Sequence, residues 1–482
     1  MTVDPPSAAH RLSRICLLLL LGASLACGLY ALANGWTRLH VRHQLDYEEG
    51  NVLNAAVLIT HGQTPYPPPQ SWPIVINPYR PVPYYLTAIP VSMRGPNFAA
   101  ARTLVWFSTL LCGLFAGLIA RHVIQSSIAG VIATSLFISH SLVQYWMPIL
   151  RVDLIGLALA LGGLWVFLCW PRAWLVAVLL FVAAIFTKPT FFAAPLACFL
   201  SLIVAKEFRK AAIFGASGAA LGTIALLFMQ RQTHGAFWFY LFGTHPDPWR
   251  FSHYLLMFRY FLHGAPILIV VAVAAFLCLL LRRNFDLLTL YTICALLATF
   301  TAGKLGSNDN HMLELTAVAC TLSATALARW ASSTRVLSFV ASIACLLLAA
   351  WISLQLRFIP TAAPEPDCNL CYNLVQQWPS ERILSEDVGA LVLAGKPVWV
   401  SNPFVYGQLT TSGKWSDEAV SSRIRSHWFD LIVLSEDARM NTDRWSPALR
   451  DEISRNYRLA ARFRCEGAKA VYVPNGDDDA KH

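Results

Sequence analysis

The sequence predicts a polytopic α-helical membrane protein, with about eleven transmembrane helices followed by a small C-terminal extracytoplasmic α/β domain. Three observations carry that prediction. Of the 482 residues, 56% are hydrophobic and 13% are charged, about half the charge of an ordinary globular chain. A water-soluble body could not hide such an apolar surplus, which excludes a soluble enzyme, a disordered chain and a coiled coil. Acidic residues are unevenly placed, 10 in residues 1–356 and 17 in the last 126. Residues 1–356 therefore read as a membrane body and 357–482 as a soluble domain. Finally, apolar runs recur at roughly 15–33, 102–120, 124–139, 153–169, 173–187, 190–205, 211–229, 264–281, 286–301, 311–328 and 336–354. Several fall short of the ~20 residues that cross hydrocarbon squarely, so their ends extend into the flanking loops.

Loop charges orient these segments. With the N-terminus inside, every cytoplasmic turn carries Lys or Arg: Arg11 and Arg14, Arg121, Arg172, Lys206 with Arg209 and Lys210, Arg282 and Arg283, then Arg329 and Arg335. This is the positive-inside pattern. Connections 34–101, 140–152, 230–263 and 302–310 and the C-terminal domain then face outward, on the periplasmic or exterior side of a bacterial inner membrane. The first run follows Arg11 and Arg14 as a signal peptide would. It continues to Ala33 without a small-x-small cleavage site, so it is read as a retained helix. A net charge of +10 raises nucleic acid as a partner, yet the basic residues are scattered in twos and threes with no aromatic-basic platform. Membrane lipids, not nucleic acid, are the expected surroundings.

The outward loop 34–101 is rich in Tyr66-Pro67-Pro68-Pro69, Trp72-Pro73, Pro78-Tyr79-Arg80-Pro81 and Pro83-Tyr84-Tyr85. Proline stiffens it and aromatics seat it at the membrane interface. Short helices are expected at 50–59 and 81–91, and a structured loop of this length builds sites. Of 12 cysteines, nine lie in apolar segments as small packing residues. In the tail, Cys368 and Cys371 form a CxxC and Cys465 stands apart. An oxidising compartment permits a structural disulfide there, whereas a CxxC with no neighbouring His does not make a metal or redox centre.

Three groups of residues could carry chemistry. Asp46, Glu48 and Glu49, just outside the first helix, put three carboxylates in four residues, enough for a general base, a metal clamp or both. The same spacing suits a helix cap, with Asp46 at the cap and Glu49 three residues on. The stretch Thr244-His245-Pro246-Asp247-Pro248-Trp249 puts His245 and Asp247 where they could position an acceptor or bind a divalent ion. Arg151, Lys188 and Lys304 stand at the outer ends of helices, where cations suit a lipid-linked phosphate. The blander alternatives are snorkelling to the interface and, for Arg151, a local ion pair with Asp153.

These residues resemble the GT-C superfamily of membrane glycosyltransferases. The resemblance is to the glycosyltransferase-39-like group that includes protein O-mannosyltransferases and lipid A aminoarabinose transferases. Asp46-Tyr47-Glu48-Glu49-Gly50 stands where that family opens its first outer loop with an acidic pair. Gly62-Gln63-Thr64-Pro65-Tyr66 matches a G-x-x-x-Y stretch, and Tyr79-Arg80-Pro81-Val82-Pro83-Tyr84-Tyr85 the Y-x-P-x-x-Y stretch that follows. Arg102, Lys188-Pro189-Thr190 and the loop from Lys304 to Asn310 also fit, over residues 10–355. The resemblance implies transfer of a sugar from a polyprenyl-phosphate donor to an extracytoplasmic glycan, lipid or protein. It makes a first-loop carboxylate the base: Asp46 by preference with Glu49 supporting it, and Glu48 as the rival. Arg151, Lys188 and Lys304 would bind the donor phosphate, while Tyr79, Arg80, Tyr84, His245 and Asp247 would position the acceptor or the loop. A divalent cation, Mg2+ or Mn2+, could sit on Asp46, Glu49 and His245.

In the tail, Arg382-Ile383-Leu384, Val398-Trp399-Val400, 431–434 and Val471-Tyr472-Val473 read as strands, and 418–427 and 447–456 as helices. Gly389 and Gly395 lack a phosphate-loop pattern, so no nucleotide-sugar site is expected. Two other readings compete. One is a transporter or flippase for a lipid-linked sugar, against which no inverted repeat is visible. The other is a non-catalytic envelope scaffold that binds through its tail.

Overall fold

Backbone groups in apolar surroundings must satisfy their hydrogen bonds internally, and each of the eleven apolar runs folds as helix. The computed structural model describes residues 8–244, 248–355, 366–436, 444–465 and 468–476. Helix α1 (Ala8–Leu39) leads to the outer loop, which holds α2 (Tyr47–Thr60) and α3 (Pro81–Arg94). There follow α4 (Phe98–Ile124), α5 (Ser127–Ser139), α6 (Ser141–Trp146), α7 (Asp153–Cys169), α8 (Trp174–Ile185), α9 (Ala193–Val204) and α10 (Phe208–Gln232). The body ends with α11 (Phe237–Phe242), α12 (Phe251–Gly264), α13 (Pro266–Leu281), α14 (Leu287–Ala298), α15 (Leu313–Ala331) and α16 (Arg335–Gln355). The helices α1, α4, α10, α15 and α16 are long and apolar enough to cross a membrane, and α12 with α13, bent by 100°, would make a sixth span. Helices α5, α7, α8, α9 and α14 are apolar but shorter.

Helix α15, buried over most of its length, packs against α4, α5, α13 and α16, and α1 lies along α16 and α5. Small residues allow the closest approaches. A Cβ on Gly117 of α4 would stand 2.6 Å from the carbonyl oxygen of Gly130 in α5.

The tail contains α17 (Pro366–Gln377), β1 (Ile383–Ser385), α18 (Val388–Leu393), α19 (Pro403–Thr411), α20 (Glu418–Arg425), β2 (Leu431–Ser435), a helix Pro447–Asn456, β3 (Tyr457–Arg464) and β4 (Ala468–Pro474). The sheet order is β1-β2-β4-β3, with β1 parallel to β2 and the other pairs antiparallel. One strand expectation changes, and one strand was not expected. Val398-Trp399-Val400 is outside this sheet: Val400 bridges Ile74 of the outer loop, with the Ile74 N–H donating to the Trp399 carbonyl at 2.8 Å. Edge strand β3, half exposed and carrying Arg458, Arg462 and Arg464, has no apolar run to announce it.

The tail is fastened to the outer loop. A Cβ on Gly50 of α2 would meet the Gly389 nitrogen at 2.3 Å, so only glycine lets α2 and α18 touch. Beside it, Gln44 donates its N–H to the Tyr372 hydroxyl (2.9 Å) and accepts from the Gly389 N–H (3.2 Å). The tail's disulfide joins Cys368 to Cys465, 97 residues apart, leaving Cys371 free and buried. Closing a loop of that length typically stabilises by about 2–5 kcal/mol. Cys465→Ser should therefore lower the unfolding midpoint of the tail, followed by limited proteolysis on heating, and reductant should lower the wild type to match. An unchanged midpoint would show the bond to be structurally idle.

Candidate functional site

The acidic cluster does begin a helix. Asp46 caps α2, its carboxylate accepting from the Glu48 N–H at 3.0 Å. Successive helical residues are turned by about 100°, so Glu48 and Glu49 point to different surroundings. Glu49 turns into the core and is fully buried against Arg102 of α4, which donates Nε to Oε1 (2.8 Å) and Nη2 to Oε2 (2.7 Å). Arg102 also donates to the carbonyls of Val41 (2.6 Å), His43 (2.8 Å) and Leu39 (3.3 Å). Glu49 further accepts from the N–H groups of Leu45 and Leu150. The expected capping box is thus not closed, because Glu49 takes the Leu45 N–H and not that of Asp46. Glu49 ties together the loop's entry, α2, α4 and the segment before Arg151, away from the site expected of a supporting base or metal ligand.

Glu48 faces a cavity of about 370 Å³. Tyr47, Pro78 and Tyr79 of the outer loop form one wall, with Arg151 beside them, and Lys188, Pro189 and Thr190 another. The loop between α14 and α15, from Thr301 through Lys304 to His311, closes a third side, together with Thr244 and Trp249. Phe404 and Val405 come from the tail. Arg151, Lys188 and Lys304, dispersed over the chain, thus share one cavity with a carboxylate.

Arg151 approaches Asp46 at 3.3 Å and lies near the rings of Trp146 (5.6 Å) and Tyr79 (6.0 Å). Burial works against its charge, but Asp46, Tyr79 and Glu48 outweigh that and hold its pKa well above the usual value. Its Nε and Nη1 are buried without a hydrogen-bond partner among the described residues. Asp153 pairs with Lys188 (2.7 Å) and not with Arg151. Asp153 also accepts from Asn310 (2.9 Å). The Lys188 amine lies 3.1 Å from His311 Nε2, whose Nδ1 is 2.8 Å from the Thr301 hydroxyl. Burial lowers the Lys188 pKa and Asp153 pulls it back up.

Burial also raises the carboxyl pKa of Glu48, offset by Arg151 and by hydrogen bonds from Asn51 (3.2 Å) and Asn402 (2.9 Å). Asp46 is raised as well, by burial first, with Arg151 opposing. Of the other expected residues, Tyr79 is on the wall. Tyr84 is fully buried beside Tyr66, its hydroxyl accepting from the Tyr79 N–H (3.1 Å), and so shapes the loop from behind. Arg80 is half-buried off the cavity. His245 and Asp247 lie outside the described residues. Among the described residues no three His, Cys, Asp or Glu side chains group to hold a metal ion. Asp46 is engaged by Arg151 and Glu49 by Arg102, so the two described members of the expected ligand set do not fit a cation.

Sequence reasoning missed Asn310, His311, Asn402, Phe404 and Val405 as site residues. Asn310 and His311 were legible as polar residues beside Lys304. The tail residues gave no such signal, since Asn402-Pro403 reads only as a turn or helix start.

No family model and no curated protein matches this sequence. Among solved structures, the chain is similar to ArnT from Cupriavidus metallidurans in the apo state, at 12% identity and TM-score 0.62, over 94% of this chain and 97% of that one. ArnT bound to undecaprenyl phosphate matches at 10% identity and TM-score 0.62, over 95% and 98%. The oligosaccharyltransferase AglB from Archaeoglobus fulgidus, in complex with an inhibitory peptide and a dolichol-phosphate, matches at 12% identity and TM-score 0.57, over 96% and 74%. The chain has the GT-C fold that ArnT and AglB share.

Proposed function

We propose that this protein transfers a sugar from a polyprenyl-phosphate donor to a hydroxyl on an extracytoplasmic glycan, lipid or protein. The carrying observation is the cavity that gathers Arg151, Lys188 and Lys304 around Glu48. Polyprenyl phosphates in the ArnT and AglB structures support the donor class. In this reading residues 1–356 cross a bacterial inner membrane eleven times with the N-terminus cytoplasmic. Loop 34–101 and residues 357–482 lie outside.

Glu48 is the base, in place of Asp46, because Asp46 is committed to its cap and to Arg151. The acceptor proton passes to the Glu48 carboxylate as the hydroxyl oxygen attacks the anomeric carbon. The bond from that carbon to phosphate oxygen breaks, inverting the configuration. The leaving phosphate gains negative charge opposite Arg151, Lys188 and Lys304, which are fixed in place before reaction. No step needs a metal.

Undecaprenyl phosphate binding tests the phosphate site. A hydrogen bond to a charged group contributes about 1.5–3 kcal/mol, so Arg151→Ala and Lys188→Ala should each weaken binding by roughly ten- to a hundredfold. Unchanged affinity in both would remove the phosphate from this cavity.

A further inference from the structure

We propose that Asn402 of the tail is a positioning residue for Glu48, so that the external domain completes the reaction site. The proposal rests on the reading of Glu48 as the acceptor's base. Asn402 caps α19: its Oδ1 accepts from the Val405 N–H at 3.0 Å. That bond fixes which end of the amide is which. Nδ2 is left pointing away from the helix, and it donates to Glu48 Oε1 at 2.9 Å. The other oxygen, Oε2, accepts from Asn51 Nδ2 at 3.2 Å. Each carboxylate oxygen is therefore held by one amide and retains a lone pair for an acceptor proton. Asn402 is 1% and Glu48 3% exposed, so water does not readily replace the bond.

Such donors favour the ionised carboxylate. Around Glu48, Arg151 acts in the same direction and Asp46 against it. The phenols of Tyr47, Tyr79 and Tyr84 stay neutral, their pKa raised by burial. The tail's Arg444 faces the Tyr47 ring at 5.0 Å.

Asn402→Asp separates positioning from folding. It keeps a side-chain acceptor for the Val405 N–H, so the cap survives, but it loses the donor and sets a second carboxylate against Glu48. A like charge raises the Glu48 pKa, and a base works only when deprotonated. The acidic limb of the transfer rate should move to higher pH by about one unit, with the donor KM unchanged because Arg151 and Lys188 are untouched. Asn402→Ser, which caps without reaching Glu48, should shift the limb the same way by less, and it carries the test if the Asp variant does not accumulate. Wild type and Glu48→Gln run beside them. If wild type transfers sugar and Glu48→Gln does not, while both Asn402 profiles superimpose on wild type, Asn402 merely caps its helix and the proposal is wrong. Transfer that survives Glu48→Gln removes the base, and the proposal falls with it.

Discussion

Glu48→Gln should lower sugar transfer by about 10²- to 10⁴-fold, the usual contribution of a positioned general base, while leaving the protein folded. Glutamine keeps the volume of the side chain, and its one carbonyl oxygen can still accept from Asn402. Its amide nitrogen takes the place of the oxygen bonded to Asn51, whose own Oδ1 is without a partner among the described residues and can turn to accept from it. It cannot take a proton. Asp46→Asn should cost less, because Asp46 acts on Arg151 at 3.3 Å and does not line the cavity. Donor affinity of the Glu48 variant should stay near wild type. Burial raises the Glu48 pKa and the base is the ionised form. Wild-type activity should therefore be lost as pH falls through a value above the ordinary glutamate range. An inactive Asp46→Asn beside an active Glu48→Gln would reverse the assignment.

Arg102→Leu should be the most damaging change to the fold. It strands the fully buried Glu49 carboxylate without its cation and leaves the carbonyls of Leu39, Val41 and His43 short of donors. Removing one partner of a buried pair typically costs about 3–5 kcal/mol. The thermal midpoint in detergent should fall accordingly. Replacing both Arg102 and Glu49 by leucine should recover part of the loss, since no buried charge is then left alone. A midpoint unmoved by Arg102→Leu would mean that the pair does not hold the outer loop.

The contrast between Glu48 and Glu49 shows where the sequence stops being legible. Apolar runs located the helices, because a chain in hydrocarbon has few alternatives. Charge and side brought out Arg151, Lys188 and Lys304 without contacts in hand. The direction each carboxylate faces was different. It depends on Arg102, 53 residues further on, and nothing in Asp46-Tyr47-Glu48-Glu49 distinguishes the member that meets it. The preference for Asp46 as base comes from the resemblance, whereas local spacing offers it as a helix cap, and capping is where Asp46 is used. Asn402 is 354 residues from Glu48, so only the docking of the tail shows their bond. Similarly, the CxxC drew attention to Cys371, while the disulfide reaches from Cys368 across to Cys465 beyond β3.

The most direct test is sugar transfer by the purified protein in lipid, offered a panel of polyprenyl-phosphate sugars and an envelope-lipid extract as acceptor. Labelled sugar should appear on an acceptor with matching release of polyprenyl phosphate from at least one donor. Donor that binds and crosses the bilayer intact, with no release, would contradict transfer and make the protein a carrier.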